Sequence, residues 1–223
     1  MRFLRDNALT LLFLLLTVLA LVGQAFSGLA DQNEEQTARG APETTLPDYV
    51  TSSSFAVDVA ENWQSEYLQF FLFILVTVWL VQRGSTQSKP PGEEGAESDE
   101  EQNVGEHAGP GSPPWARAGG PRGALYSRSL GLVMGATFLW SWLAQSVAGW
   151  AADNDRRLGD LQDPQGWGDY LRSPDFWNRS LQNWQSEFLA VASIVALSIY
   201  LRQRGSPESK PVGSPHDATG VEG

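Results

Sequence analysis

The sequence contains no cysteine, two histidines and two lysines against 13 arginines in 223 residues. Without cysteine there is no disulfide framework, no thiolate metal site and no cysteine nucleophile. His107 and His216 both lie in polar stretches, so neither a histidine metal cluster nor a pocketed histidine base is expected. The net charge of −11 argues against a nucleic-acid footprint, because phosphate binding needs a clustered basic surface. Nothing assembles a catalytic centre: the expectation is no enzyme, no cofactor and no metal.

What the chain does have is four apolar stretches separated by segments rich in Pro, Gly, Asp and Glu. Ala8 to Phe26 gives 19 uncharged residues, close to the ~20 that a helix needs to cross a ~30 Å hydrocarbon layer. Arg2 and Arg5 precede this run and the small residues Gly28 and Ala30 follow it, so a cleaved leader fits the same residues.

An internal repeat bears on that choice. Shifting the sequence by 121 residues superimposes its halves without a gap, and from Asn62–Pro90 against Asn183–Pro211 14 of 29 positions are identical. The shared blocks are NWQSE (Asn62 to Glu66, Asn183 to Glu187), QRGS (from Gln82 and Gln203) and SKP (from Ser88 and Ser209). The same shift pairs Asp48-Tyr49 with Asp169-Tyr170, Phe55 with Phe176, Gln24 with Gln145 and Gly28 with Gly149. The first apolar run thus corresponds to Leu130–Trp150, which lies mid-chain and is no leader. A retained helix follows for both.

The expected fold is all-α: four transmembrane helices, about 8–26, 63–81, 130–150 and 184–201, arranged as two tandem parallel helical-hairpin repeats with a disordered acidic linker. The domains are then 1–90 (first repeat), 91–123 (linker), 124–211 (second repeat) and 212–223 (disordered tail). Counting only the apolar part of the second run, 15 residues reach ~22 Å, so NWQSE must be drawn into the outer boundary, with Glu66 and Glu187 about one turn below the surface.

Orientation follows from the basic residues near the span ends. The amino terminus, linker and carboxyl tail hold ten, including Arg83, Lys89, Arg204 and Lys210; the hairpin loops hold five. This bias puts both termini and the linker in the cytoplasm. Tyr126, Trp79 and Tyr200 then mark the inner interface, and Trp63, Trp150 and Trp184 the outer one.

Between Gly84 and Arg122 there are six prolines, eight glycines and seven acidic residues, too little apolar surface to fold. The bland reading is a passive tether; the other is a docking segment. In the hairpin loops, Ser173-Pro174-Asp175 is a helix start, with Ser52 at the equivalent cap. Phe55, Phe176, Trp177 and Trp167 suggest a short amphipathic helix on the outer surface before each second span.

Two features could carry chemistry. On a helical wheel, Asn62, Ser65, Glu66, Gln69 and Thr77 share one side of the second helix, and Asn183, Ser186, Glu187 and Ser198 one side of the fourth. Such faces should turn inward in lipid and bring two carboxylates to one depth, where one would hold a proton or both share a cation. The plainer reading is that each glutamate accepts hydrogen bonds from Gln24 or Gln145 at a wet interface; a partner or lipid contact is the third. In the QRGS and SKP blocks, Arg83, Lys89, Arg204 and Lys210 would anchor at the cytoplasmic interface while Gly84 and Gly205 end helices in left-handed caps. The alternative is a recognition turn built on Ser85, Ser88 and Lys89 and on Ser206, Ser209 and Lys210. Gly131 and Gly135 form a GxxxG on the third helix, which permits close packing.

The paired spans, the NWQSE block before a short span and the QRGSxxSKP exit resemble a family of small bacterial membrane proteins known as a domain of unknown function. The resemblance covers nearly the whole chain apart from the acidic linker, and implies a multi-pass protein of the bacterial plasma (inner) membrane; the expected partner is membrane lipid, an unknown protein partner is an open option, and no nucleic acid is expected. It implies no activity. The expected role is structural or interaction; the alternative is a small channel or transporter using Glu66 and Glu187.

Overall fold

The computed structural model describes residues 2–222, and among them every regular element is helical. The helices are α1 (Arg2–Asp6), α2 (Ala8–Ala38), α3 (Leu46–Val50), α4 (Ser53–Val76), α5 (Gly120–Tyr126), α6 (Ser129–Gly159), α7 (Trp167–Tyr170) and α8 (Pro174–Leu197), with a 3-10 turn at Gly105–His107. The long ones come in matched pairs: α2 and α6 have 31 residues each, α4 and α8 have 24 each.

Two helices, α2 and α6, are long and apolar enough to cross a membrane, where four were expected. Both run well past the expected ends at Phe26 and Trp150, to Ala38 and Gly159. The expected spans 63–81 and 184–201 do not qualify: α4 and α8 stop at Val76 and Leu197, and charged and polar residues are interspersed through their first halves. From Tyr67 and from Phe188, ten mostly apolar residues remain in each, which reach only ~15 Å. Both helices end alike: Leu80 N bonds back to Val76 O at 2.7 Å and Leu201 N to Leu197 O at 2.9 Å. Gly84 and Gly205 are left-handed, as expected, but they sit in turns eight residues beyond these ends and cap no helix.

Helix starts were legible. Ser52 Oγ accepts from Phe55 N at 3.2 Å, and α8 opens on Pro174. The short surface helix expected before each second span is, however, the first half of α4 or α8 itself. Residues 91–119 form turns around the single 3-10 segment.

The chain divides into two compact units, Met1–Ala60 with Ala144–Ser173, and Glu61–Leu143 with Pro174–Gly223. In the first unit α3 packs on α2 through Tyr49, whose ring lies against Gly28. Tyr170 of α7 lies against Gly149 of α6 in the same way. After each long helix the chain turns in a Schellman motif: Ala41 N bonds to Gln36 O at 2.9 Å, and Gln162 N to Arg157 O at 2.8 Å. An asparagine one turn earlier then clamps the returning strand. Asn33 accepts from Thr44 N (2.8 Å) and donates to Thr44 O (3.1 Å); Asn154 does both to Gln165 at 2.8 and 3.1 Å.

In the second unit, Gly135 lets α6 approach Phe71 of α4, where a Cβ would fall 2.8 Å from the ring. Trp142 lies at the centre of an aromatic cluster, 5.5 Å from Phe138, 6.1 Å from Phe176 and 5.8 Å from Trp184 between ring centroids.

Candidate functional site

The two NWQSE blocks meet in the second unit. Along α4 the buried positions are Val57, Ala60, Gln64, Ser65 and Leu68, whereas Asn62 and Glu66 are exposed. The inward face is therefore turned by about one position from the expected one. The reason is the apolar period: Val57, Ala60, Gln64 and Leu68 share a stripe at spacings of three and four, and this stripe is what the helix buries. Gln64, missed by the wheel argument, is fully buried, and its Oε1 accepts from Trp184 Nε1 at 2.8 Å. The spacing to Ala60 and Leu68 was the signal that could have found it.

Ser65 Oγ lies 2.9 Å from Asn62 O and 3.4 Å from Glu187 Oε1, so its one proton serves either the helix backbone or the carboxylate. Asn183 donates to Arg179 O at 2.9 Å and Ser186 to Asn183 O at 2.8 Å. One turn toward the start of α8, Arg179 pairs with Glu61 at 2.9 Å and Asp175 at 3.5 Å, and these three with Asn178, Gln182 and Asn183 line a polar cleft. Of the expected polar group, Asn62, Glu66, Asn183 and Glu187 lie in this unit, while Gln24, half-buried, and Gln145, buried, belong to the other.

The QRGSxxSKP blocks are folded turns with the same bonds in each half. Ser88 Oγ accepts from Gln82 N at 2.7 Å and donates to Lys89 O at 2.9 Å; Ser209 Oγ accepts from Gln203 N at 2.9 Å and donates to Lys210 O at 3.0 Å. Ser88 and Ser209 are buried in these roles, and Ser85 is buried against Ser198, 3.2 Å between their hydroxyls, so none of the three is open as a recognition group.

The lysines also depart from their expected place among lipid headgroups. Lys89 Nζ donates to Gly95 O at 2.6 Å and pairs with Glu97 at 2.5 Å. Lys210 is buried, its ammonium within reach of the carbonyls of Gly84 (2.7 Å), Pro215 (3.2 Å), His216 (2.8 Å) and Ala218 (3.1 Å). Burial, more than its Arg202 neighbour, pushes its pKa down. The cage exists because residues 212–220, within the tail expected to be disordered, fold back: Gly84 N donates to Thr219 Oγ1 at 2.8 Å and Gly220 N to Ser85 O at 3.0 Å. Arg83 and Arg204 remain exposed, Arg83 standing 3.7 Å from Asp217.

In the first unit, burial and the nearby charges of Asp58 and Asp31 raise the pKa of Tyr49. Among the described residues no three His, Asp or Glu side chains are grouped to hold a metal.

No curated protein and no solved structure matches the chain. Residues 1–221 match the family described as Domain of unknown function (DUF6766), and the chain belongs to that family.

Proposed function

We propose that the chain is an integral protein of the bacterial plasma membrane with a structural or interaction role, both termini cytoplasmic, and no enzyme. The observation that carries the membrane reading is the surface of α2: none of its most apolar 18-residue stretch is buried, and only 28% of that of α6 is. A core helix of a soluble protein would hide that surface; α2 instead presents Leu9, Phe13, Val18 and Leu19 outward. With one return crossing in each half the repeat has an even number of spans, and α2 and α6 then run in the same direction. The 24 residues of α4 span about 36 Å only when the first half, with its polar residues, is counted together with the ~15 Å apolar end, and on that length we assign the return to α4, and to α8 after α6, as two tandem hairpins.

The test is topology by reporter fusion with N-terminal sequencing of the mature protein. Fusions after Arg83 and after Gly205 should report cytoplasm, and fusions at Gly40 and Gly159 the outside. A mature chain beginning near Phe26 or Asp31 overturns the retained first helix, and release of the protein from membranes by alkaline carbonate overturns the membrane reading.

One observation favours the second reading, a channel or transporter: the Ser65 to Glu187 bond sets one NWQSE block against the other. Double substitution Glu66→Gln with Glu187→Gln separates the two. A cation-dependent rise in melting temperature, present in the parent and absent in the double variant, would favour transport. The structural reading expects folding preserved and no such rise.

A further inference from the structure

We infer that residues 115–128, next to the start of α6, form a docking surface for anionic phospholipid headgroups of the membrane that α6 enters. The inference rests on the membrane reading above. Charge is sharply divided in the segment before α6: seven acidic residues fall between Glu93 and Glu106, and none occurs from His107 to Ala152. Arg117, Arg122 and Arg128 lie in that acid-free stretch, all three are exposed, and none makes an ion pair among the described residues. Arg128 bonds only to Ala124 O at 3.0 Å, and Arg117 to the carbonyls of Gly109 and Pro110. Three exposed guanidinium groups with no carboxylate partner among the described residues, in a chain of net charge −11, are a local exception that a negative partner would complement.

Apolar side chains accompany them. Trp115 is 50% exposed, Leu125 51% and Tyr126 40%, in a stretch that contains few other apolar residues. Aromatic rings beside arginine, at the foot of a 31-residue helix carrying an apolar run, match the headgroup layer, where a ring has one apolar and one wet side. A soluble acidic protein would satisfy the arginines but leave no reason for their position within a few residues of the span. Each basic residue held near an anionic leaflet strengthens association by about fivefold, so the three together are enough to hold the segment down.

Because the chain has no cysteine, one introduced thiol reports on this segment alone. Gly119 is suited to it: a Cβ there meets nothing within 4 Å. The full chain carrying Gly119→Cys, labelled with an environment-sensitive fluorophore, is placed in nanodiscs of phosphatidylcholine alone or with about one third phosphatidylglycerol. We expect emission about twofold brighter and blue-shifted in the anionic discs, and the difference abolished by high salt. Arg117→Gln with Arg122→Gln and Arg128→Gln should remove the response, while the corresponding three Lys substitutions keep it. Equal emission in both discs, or a response that survives the three Gln substitutions, overturns the inference. Soluble phosphatidylglycerol headgroup analogue producing the same shift in neutral discs would assign the site to free phosphate and overturn it as well. Failure of the chain to co-elute with discs sinks the membrane reading and this one with it; co-elution with a silent probe sinks this one alone.

Discussion

The phenol of Tyr170 rests on the backbone of Gly149 so closely that a Cβ at 149 would stand 3.0 Å from Cζ of the ring. Tyr49 and Gly28 repeat the contact 121 residues earlier, with Cζ at 2.9 Å. In each case the absence of a side chain lets a short helix lie on a long one, and the tyrosine is buried by it.

Gly28→Ala should therefore destabilise the protein by about 1–3 kcal/mol, the usual cost of forcing extra atoms into a packed contact. Gly23→Ala on the same helix is the control, since a Cβ there meets nothing within 4 Å. It should leave melting unchanged or raise it slightly, alanine being the better helix former by about 0.5–1 kcal/mol. Thermal unfolding in detergent distinguishes them; equal melting temperatures would refute the contact.

Alkaline pH tests the same tyrosine. Tyr49 has its pKa raised by burial, with Asp58 and Asp31 adding to it. A raised folded-state value means that the folded chain holds a proton which the unfolded chain releases above about pH 10. The stability from this group is whole below the unfolded value and is lost as pH rises through the folded one. Melting temperature should fall above pH 10, and fall less in Tyr49→Phe. An identical decline in both proteins would show that Tyr49 does not contribute.

Leu161 is the counterpart of Gly40. Both close the Schellman turn after a 31-residue helix, Gly40 at φ 72° and Leu161 at φ 57°. A side chain in this left-handed region costs about 1–2 kcal/mol, and Leu161 recovers nothing by packing because it is 96% exposed. Leu161→Gly should raise stability by about 1 kcal/mol, net of the extra freedom that glycine brings to the unfolded chain. Chemical denaturation reads it, and a loss of stability would mean that the leucine is held by something else.

How much of this was legible depended on whether the needed information was local. The helix starts at Ser52 and Pro174 were readable, because a cap is set by neighbouring residues. The close approach at Gly135 was foreshadowed by GxxxG. The orientation of NWQSE was not read correctly, because its polar residues suggested one face while the apolar stripe through Ala60 and Leu68 fixed another. Asn33 and Asn154 align under the 121-residue shift, but their roles depend on where the chain returns after a turn. The lysines were misplaced for the same reason: in isolation SKP beside a span suggests a headgroup anchor, and only the fold-back of residues 212–220 encloses Lys210.

That enclosure gives the last prediction. Lys210 reaches the carbonyl of Gly84 and three carbonyls of the tail, so it ties the carboxyl end to the turn that follows α4. Lys210→Met keeps the stem and removes the ammonium, leaving buried carbonyls without a donor at a cost of about 2 kcal/mol. The tail can avoid that cost by lifting off into water. Limited proteolysis should then release residues beyond Pro211 from Lys210→Met faster than from the parent. Lys89→Met is the comparison: its ammonium has one carbonyl and the Glu97 carboxylate, and its side chain is partly exposed, so the tail should stay protected. Equal tail release in Lys210→Met and the parent would show that the cage does not hold the carboxyl end, whereas equal release in both lysine variants would place the effect on net charge.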